Sequence, residues 1–264
     1  MAEKGNKVLD VQKISISFGG LTAVSDVSFE VYQGELIGLI GPNGAGKTTI
    51  FNMLTGVYVP TSGRIIYNNK ANEELVANGI APFKISRYGI SRTFQNIRLF
   101  KQMTVLDNIR ISMHKDIEYS FLGAMFKSNQ YLRTEQRFYD RAVELLKFVS
   151  LDEKKFEFAS NLPYGEQRKL EIARAVATGA EVIFLDEPAA GMNPAETEEL
   201  VGLVRKLKEE FGLTIVLIEH DMKFVMNICE RIYVLDFGIL IAEGKPHEIK
   251  SDPKVIKAYL GEEI

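Results

Sequence analysis

Residues 41–49, Gly-Pro-Asn-Gly-Ala-Gly-Lys-Thr-Thr, constrain this chain more than any other stretch. They fit G-x-x-x-x-G-K-[ST], a loop whose glycines let successive backbone N–H groups turn inward and cradle phosphate oxygens. In that frame Gly41, Pro42, Asn43, Gly44, Ala45 and Gly46 build the cradle. Lys47 reaches the β- and γ-phosphates, the Thr48 hydroxyl ligates Mg2+, and Thr49 lies beside it at the start of a helix. The loop requires a strand before it and a helix after it, so that the positive end of the helix dipole faces the anion. Both flanks are present. Residues 35–40 are a short apolar run suited to a buried parallel strand, and residues 50–54 read as a helix that Gly56 stops.

The remaining pattern extends this into an α/β architecture. Leu9, Val11, Ile14 and Ile16, then Val27, Phe29 and Val31 after a turn at Gly19-Gly20, alternate with polar residues as in a half-exposed antiparallel layer. Residues 60–63 turn into a strand over 64–67, and residues 68–88 read as an irregular polar insertion. From about residue 104 the character is helical. Thr104 to Asp107 form a helix-start box, and Phe138, Ala142, Leu145, Leu146 and Val149 recur at helical spacing. An aromatic stretch with Tyr119, Phe121, Phe126 and Tyr131 lies between. Buried strands return at 182–185 and 214–218, separated by a helix that Asn193-Pro194 caps and Gly212 ends, and a hairpin at Asp236-Phe237-Gly238 precedes a short helical tail. The alternation predicts a mostly parallel central sheet flanked by helices, with an antiparallel layer and an inserted helical subdomain. The expected boundaries are one domain over 1–264, with an α/β core of 1–99 and 179–264 and a helical subdomain of 100–178.

Strand ends in such a sheet are where ligands bind. Asp186 and Glu187 close the apolar run 182–185: the first suits Mg2+, which prefers oxygen ligands, and the second can orient the water that attacks the γ-phosphate. His220 closes the next strand, where an imidazole can hydrogen-bond phosphate and water. Gln95 follows Ser91-Arg92-Thr93-Phe94, where an amide can contact Mg2+ or water, although spacing alone suits a polar turn residue better. His114 and His247 have no such placement.

With 46% hydrophobic and 25% charged residues, the composition is that of an ordinary globular protein, and 32 basic against 35 acidic residues weigh against a nucleic-acid binder. No apolar run approaches the ~18 residues of a membrane span, and residues 1–7 lack an apolar leader core. The single cysteine, Cys229, sits in an apolar context as a buried, inert thiol and suits a cytoplasmic setting.

Together the phosphate loop, Gln95, the Gly165 segment, Asp186-Glu187 and His220 resemble, in order and approximate spacing, the ATP-binding subunits of ABC transporters, over nearly the whole chain. The resemblance implies ATP and Mg2+ as ligands, Glu187, His220 and Gln95 at the hydrolytic centre, and Thr48, Gln95 and Asp186 at the metal. It places Phe18 against adenine. It places Tyr164, Gly165 and Glu166 on the ATP of a second ATP-binding subunit, the two facing head to tail as a homo- or heterodimer. It further implies transmembrane permease subunits, a solute-binding protein served indirectly, no nucleic-acid partner, and a peripheral position on the cytoplasmic face of the membrane. The aromatic stretch 119–131, with the region after Gln95, is the expected membrane-partner contact.

One departure narrows the family. Leu162-Pro163-Tyr164-Gly165-Glu166 stands where Leu-Ser-Gly-Gly-Gln is usual. A lost hydrogen bond to a charged group costs roughly 1.5–3 kcal/mol unless backbone donors at the helix start replace it, the outcome favoured here. With Arg92-Thr93-Phe94-Gln95 and the run 187–194, this signature is similar to the ATPases of branched-chain amino acid importers. The alternatives are another transporter ATPase, such as that of lipopolysaccharide export, which keeps Ser-Gly-Gly, and a non-transport ABC ATPase of DNA repair or translation. The latter carry long coiled-coil insertions or paired cassettes, which 264 residues with one phosphate loop do not fit.

Overall fold

The computed structural model describes residues 5–69, 71 and 73–260. The chain divides into two compact units: residues 1–95 with 181–264, and residues 96–180.

In the first unit, β1 (Lys7–Phe18) and β2 (Leu21–Tyr32) pair antiparallel through the turn at Gly19-Gly20. The fully buried β3 (Leu36–Ile40) leads through the phosphate loop into α1 (Lys47–Leu54). β4 (Ser62–Asn68) pairs with β1, and β5 (Glu74–Val76) pairs with β4. α2 (Pro82–Arg87) and β6 (Ile90–Arg92) complete this stretch. Residues 68–88 are therefore not an irregular insertion. β5 exists because the edge of β4 is open to it, with Ile66 opposite Val76, and Pro82 at the first turn suits the start of α2.

The second unit is helical: α3 (Val105–Ser112), α4 (Phe121–Met125), α5 (Asn129–Phe148) and α6 (Tyr164–Ala177). Thr104 caps α3 by accepting the Asp107 N–H at 3.0 Å. The core is apolar: Val105, Leu106 and Ile109 of α3 meet Phe138, Ala142, Leu145 and Leu146 of α5 and the inner face of α6. Tyr119 and Tyr131 stack edge to face at 5.0 Å, and the Tyr119 hydroxyl donates to Glu135, whereas Phe121 and Phe126 are exposed.

The first unit resumes with β7 (Val182–Asp186), α7 (Pro194–Phe211), β8 (Thr214–Ile218), α8 (Met222–Ile228), β9 (Arg231–Asp236), β10 (Ile239–Gly244), α9 (Pro246–Ser251) and α10 (Pro253–Leu260). An Asn193–Glu196 capping box opens α7, and Gly212 in the left-handed conformation ends it. The antiparallel sheet runs β2-β1-β4-β5, and the second sheet runs β10-β9-β3-β8-β7-β6, parallel except for β10. One core joins them, in which Val11, Ile14, Val27 and Val31 share an apolar cluster with Ile37, Leu39, Ile50, Phe51, Tyr233 and Leu235. The consequence for function is direct. β3, β7 and β8 are parallel neighbours, so their carboxyl ends deliver the phosphate loop, Asp186-Glu187 and His220 to one edge of the sheet.

Candidate functional site

The loop after β3 is shaped by close backbone packing. Gly41 has φ 152°, and a Cβ there would lie 2.1 Å from the Leu235 carbonyl oxygen. Residues 43–49 line a cleft of about 480 Å3 together with Leu21, Thr22, Ala23, Glu187 and Phe237. Lys47 is buried, and its Nζ donates to the carbonyl oxygens of Gly41 at 2.8 Å and Pro42 at 2.9 Å. Burial lowers the ammonium below the usual lysine pKa, and the Glu187 charge pulls the other way.

Asp186 is buried at the end of β7, where its Oδ2 meets Nη2 of Arg92 at 2.6 Å. Arg92 also donates to Asn52 Oδ1 at 2.7 Å and Thr55 Oγ1 at 3.1 Å, and its guanidinium lies against the rings of Phe51 and Phe94. Asp186 thus receives a charge-assisted bond from β6 and, through the same arginine, is tied to α1.

Glu187 adopts φ 46°, a left-handed conformation rarely taken by a residue with a side chain. Its N–H donates to Ile218 O at 2.9 Å. Its Oε2 accepts Gln95 Nε2 at 2.7 Å and lies 3.8 Å from His220 Nδ1. A strained carboxylate facing a cleft, with an amide bonded to it and an imidazole close by, is an arrangement that positions a water. Glu219, 1% exposed, accepts the backbone N–H groups of Ala189 at 2.7 Å, His220 at 3.1 Å and Asp221 at 3.5 Å. It ties the loop after Glu187 to the loop that carries His220, and burial raises its pKa against the effect of those three donors.

The phosphate loop, Gln95, Asp186, Glu187 and His220 therefore share the first unit. Phe18 also lies there, half-exposed, with its ring edge-on to Tyr58 at 5.3 Å, and it does not line the cleft. Tyr164, Gly165 and Glu166 belong to the second unit, where they open α6 after Pro163. Glu166 is held there by Lys154 at 2.7 Å, and Tyr164 by Arg168, whose Nη2 donates to its hydroxyl at 3.3 Å. The residues that motif reading passed over are Arg92 and Glu219. The signal for Glu219 was the one that marked Asp186, an acidic residue closing an apolar strand. The signal for Arg92 was a cation placed just before Gln95.

The fold and this cleft define a phosphate-loop nucleoside triphosphatase. The model of the ABC transporter family matches residues 24–190, and that of the branched-chain amino acid ATP-binding cassette transporter matches residues 240–264. The chain is 46% identical over 255 residues to the high-affinity branched-chain amino acid transport ATP-binding protein LivG of Escherichia coli, covering 97% of this chain and 98% of that one. BraF of Pseudomonas aeruginosa, named for the same transport, gives the same identity and coverage. Among solved structures, an ATP-binding cassette in its ADP conformation superposes with a TM-score of 0.82 at 33% identity, covering 97% and 100% of the two chains. A dimeric cassette in a post-hydrolysis state bound to ADP and Pi gives 0.73 at 26% identity, covering 90% and 98%. The chain belongs to the ABC transporter family and is its ATP-binding, ATP-hydrolysing kind of subunit. Among the described residues, no helix is long and apolar enough to cross a membrane.

Proposed function

We propose that this chain powers import of branched-chain amino acids by hydrolysing ATP in the cleft at the carboxyl ends of β3, β7 and β8, with Glu187 as the hydrolytic carboxylate. The observation that carries the reading is Glu187 itself, strained at φ 46°, lining the phosphate-loop cleft, and bonded to Gln95. In this reading the N–H groups of residues 41–46 hold the β- and γ-phosphates. Lys47 exchanges its two carbonyl partners for phosphate oxygens, and its buried position strengthens that pairing. Glu187 accepts a hydrogen bond from the attacking water, Gln95 fixes the carboxylate, and His220 donates to the γ-phosphate. Thr48, Asp186 and Gln95 offer the oxygen ligands that Mg2+ prefers, and the ion would neutralise charge developing on the phosphates.

The second half of the site is supplied by another ATP-binding subunit through its Tyr164-Gly165-Glu166 segment, with backbone donors at the start of the 14-residue helix α6 replacing the missing serine. The solved dimeric relative bound to ADP and Pi supports pairing, and the names LivG and BraF support the substrate class. Permease subunits would receive the motion, with a solute-binding protein acting upstream of them, and the exposed Phe121 and Phe126 suit a contact with the permease.

The Glu187→Gln variant tests the assignment. It keeps the shape and the Gln95 contact but cannot take up a proton, so ATP affinity stays within about threefold while turnover falls by about 100-fold or more. Phosphate release and equilibrium ATP binding measure the two. Turnover close to that of the unaltered protein would reject Glu187 as the hydrolytic residue.

A further inference from the structure

The pairing between β7 and β8 continues past the ends of the strands. The last strand rung sets Asp186 opposite Ile218, and the Glu187 N–H then donates to Ile218 O at 2.9 Å. Beyond that point a side chain supplies the next rung: Oε1 of Glu219 accepts the Ala189 N–H at 2.7 Å. Its Oε2 turns back on its own loop and accepts the His220 N–H at 3.1 Å and, more loosely, that of Asp221 at 3.5 Å. Glu219 is 1% exposed, and backbone N–H groups rather than a lysine or arginine offset its charge. A buried carboxylate is costly to desolvate. An apolar side chain would fill the same space without that cost but would leave these N–H groups without their acceptor.

The residue that depends on those bonds is Glu187. Its φ of 46° is a conformation that persists only where the surroundings over-determine it. The residue before it belongs to β7, its own N–H is fixed to β8, and the turn after it closes through the Ala190 N–H on Glu187 O at 3.2 Å. Ala189 lies inside that turn, so the Glu219 bond anchors the turn to the loop that carries His220.

We propose that Glu219 is a positioning residue for ATP hydrolysis, whose carboxylate holds Glu187 in its strained backbone conformation and in register with His220. The inference rests on the reading of Glu187 as the hydrolytic carboxylate. The charge matters because only a carboxylate accepts at both ends. Glutamine has the same shape, but its amide end donates, so N–H faces N–H either at Ala189 or at His220 and one loop is released. Glu219 does not line the phosphate-loop cleft, so nucleotide affinity does not depend on it.

The test measures single-turnover hydrolysis and equilibrium binding of ATP in four full-length proteins: unaltered, Glu219→Gln, Glu187→Gln and the double variant. Glu219→Gln is expected to slow hydrolysis about 10- to 100-fold, as displacement of a reacting group does, while ATP affinity stays within about threefold. In the Glu187→Gln background the same substitution is expected to cost less than about twofold, because the group it positions is already gone. Glu219→Ala, which introduces no opposing donor, is expected to follow the same pattern and guards against a misfold peculiar to the amide. Hydrolysis by Glu219→Gln and Glu219→Ala within about twofold of the unaltered rate, beside an inactive Glu187→Gln, would overturn this inference alone. An equal cost in both backgrounds, or ATP affinity lost together with hydrolysis, would also overturn it and make Glu219 a support of the fold. Full hydrolysis by Glu187→Gln would instead reject the reading of Glu187 on which the inference rests.

Discussion

Among the described residues, each unit buries an arginine–carboxylate pair, and the two pairs are built differently. Arg168 and Glu171, one turn apart on α6, meet at 2.8 Å with side chains 0% and 6% exposed. Two further bonds to them lie within the second unit: Arg168 donates to the Tyr164 hydroxyl at 3.3 Å, and the Arg98 N–H donates to Glu171 Oε1 at 3.1 Å. Arg92 and Asp186, in the first unit, lie on neighbouring strands, and Arg92 adds two acceptors on α1 and its flank. Buried pairs repay their desolvation only where the geometry is good, so each marks a position that must be fixed rather than a source of stability. The local pair fixes the start of the helix that carries the signature segment. The long-range pair fixes the carboxylate at the end of β7, which the proposed mechanism gives to Mg2+, so in that reading its partner is shared with the ligand.

The comparison breaks most sharply at Glu171. Glu171→Ala removes the carboxylate that meets the buried Arg168 guanidinium at 2.8 Å, a loss of about 3–5 kcal/mol in urea unfolding of the chain. Arg168→Met combined with Glu171→Leu should recover most of it, because two apolar groups of similar size need no charge partner. A loss below about 1 kcal/mol from Glu171→Ala would show that the pair fixes nothing.

Arg92→Met has a smaller expected cost, about 2–3 kcal/mol, since the Arg92 side chain is 8% exposed where that of Arg168 is 0%. Its sharper signature is in linkage. A ligand that binds only the folded state stabilises it. Mg2+ with ATP should restore part of the lost stability of Arg92→Met, raising its melting temperature more than it raises that of the unaltered protein. The same treatment should leave the deficit of Glu171→Ala untouched. Equal ligand-induced shifts in Arg92→Met and the unaltered protein would reject the shared-carboxylate account.

What the sequence revealed divides along the same line between local and long-range. The phosphate loop, the apolar runs of β3, β7 and β8 and the caps at Thr104 and Asn193 are written in consecutive residues, so each could be read without its neighbours. The short strands β5 and β6 could not. Three residues carry no period, and each strand exists only because the edge of β4 or β7 receives it. Arg92 stayed hidden for the same reason: Asn52, Thr55 and Asp186, which give it meaning, are far away in the chain. Phe18 illustrates a limit of motif position. The sequence places an aromatic at the end of β1, but whether its ring faces the cleft or Tyr58 depends on packing that no spacing encodes.

Cys229 is the reverse case, a buried ionisable group with no opposite charge to satisfy. Its thiol packs against the backbone of Gly38, where a Cβ would come within 3.0 Å of Sγ, and burial pushes its pKa far up, with the Glu230 and Glu219 charges adding to the shift. The sign of the consequence follows from proton counting. Below the ordinary thiol pKa of about 8.5 both folded and unfolded chains hold the proton, so the group contributes no pH dependence. Above it the unfolded chain releases a proton that the folded chain keeps, and stability falls as pH rises. At pH 9 the loss is about 0.8 kcal/mol for one thiol relative to pH 7. Cys229→Ala removes this term, so the difference between the two proteins in unfolding free energy from urea titration should narrow by that amount from pH 7 to pH 9. Tyrosines and lysines titrate alike in both and cancel. The native thiol should also resist a thiol-specific reagent until the chain unfolds, and a pH-independent difference together with rapid labelling of the folded protein would show that burial does not protect it.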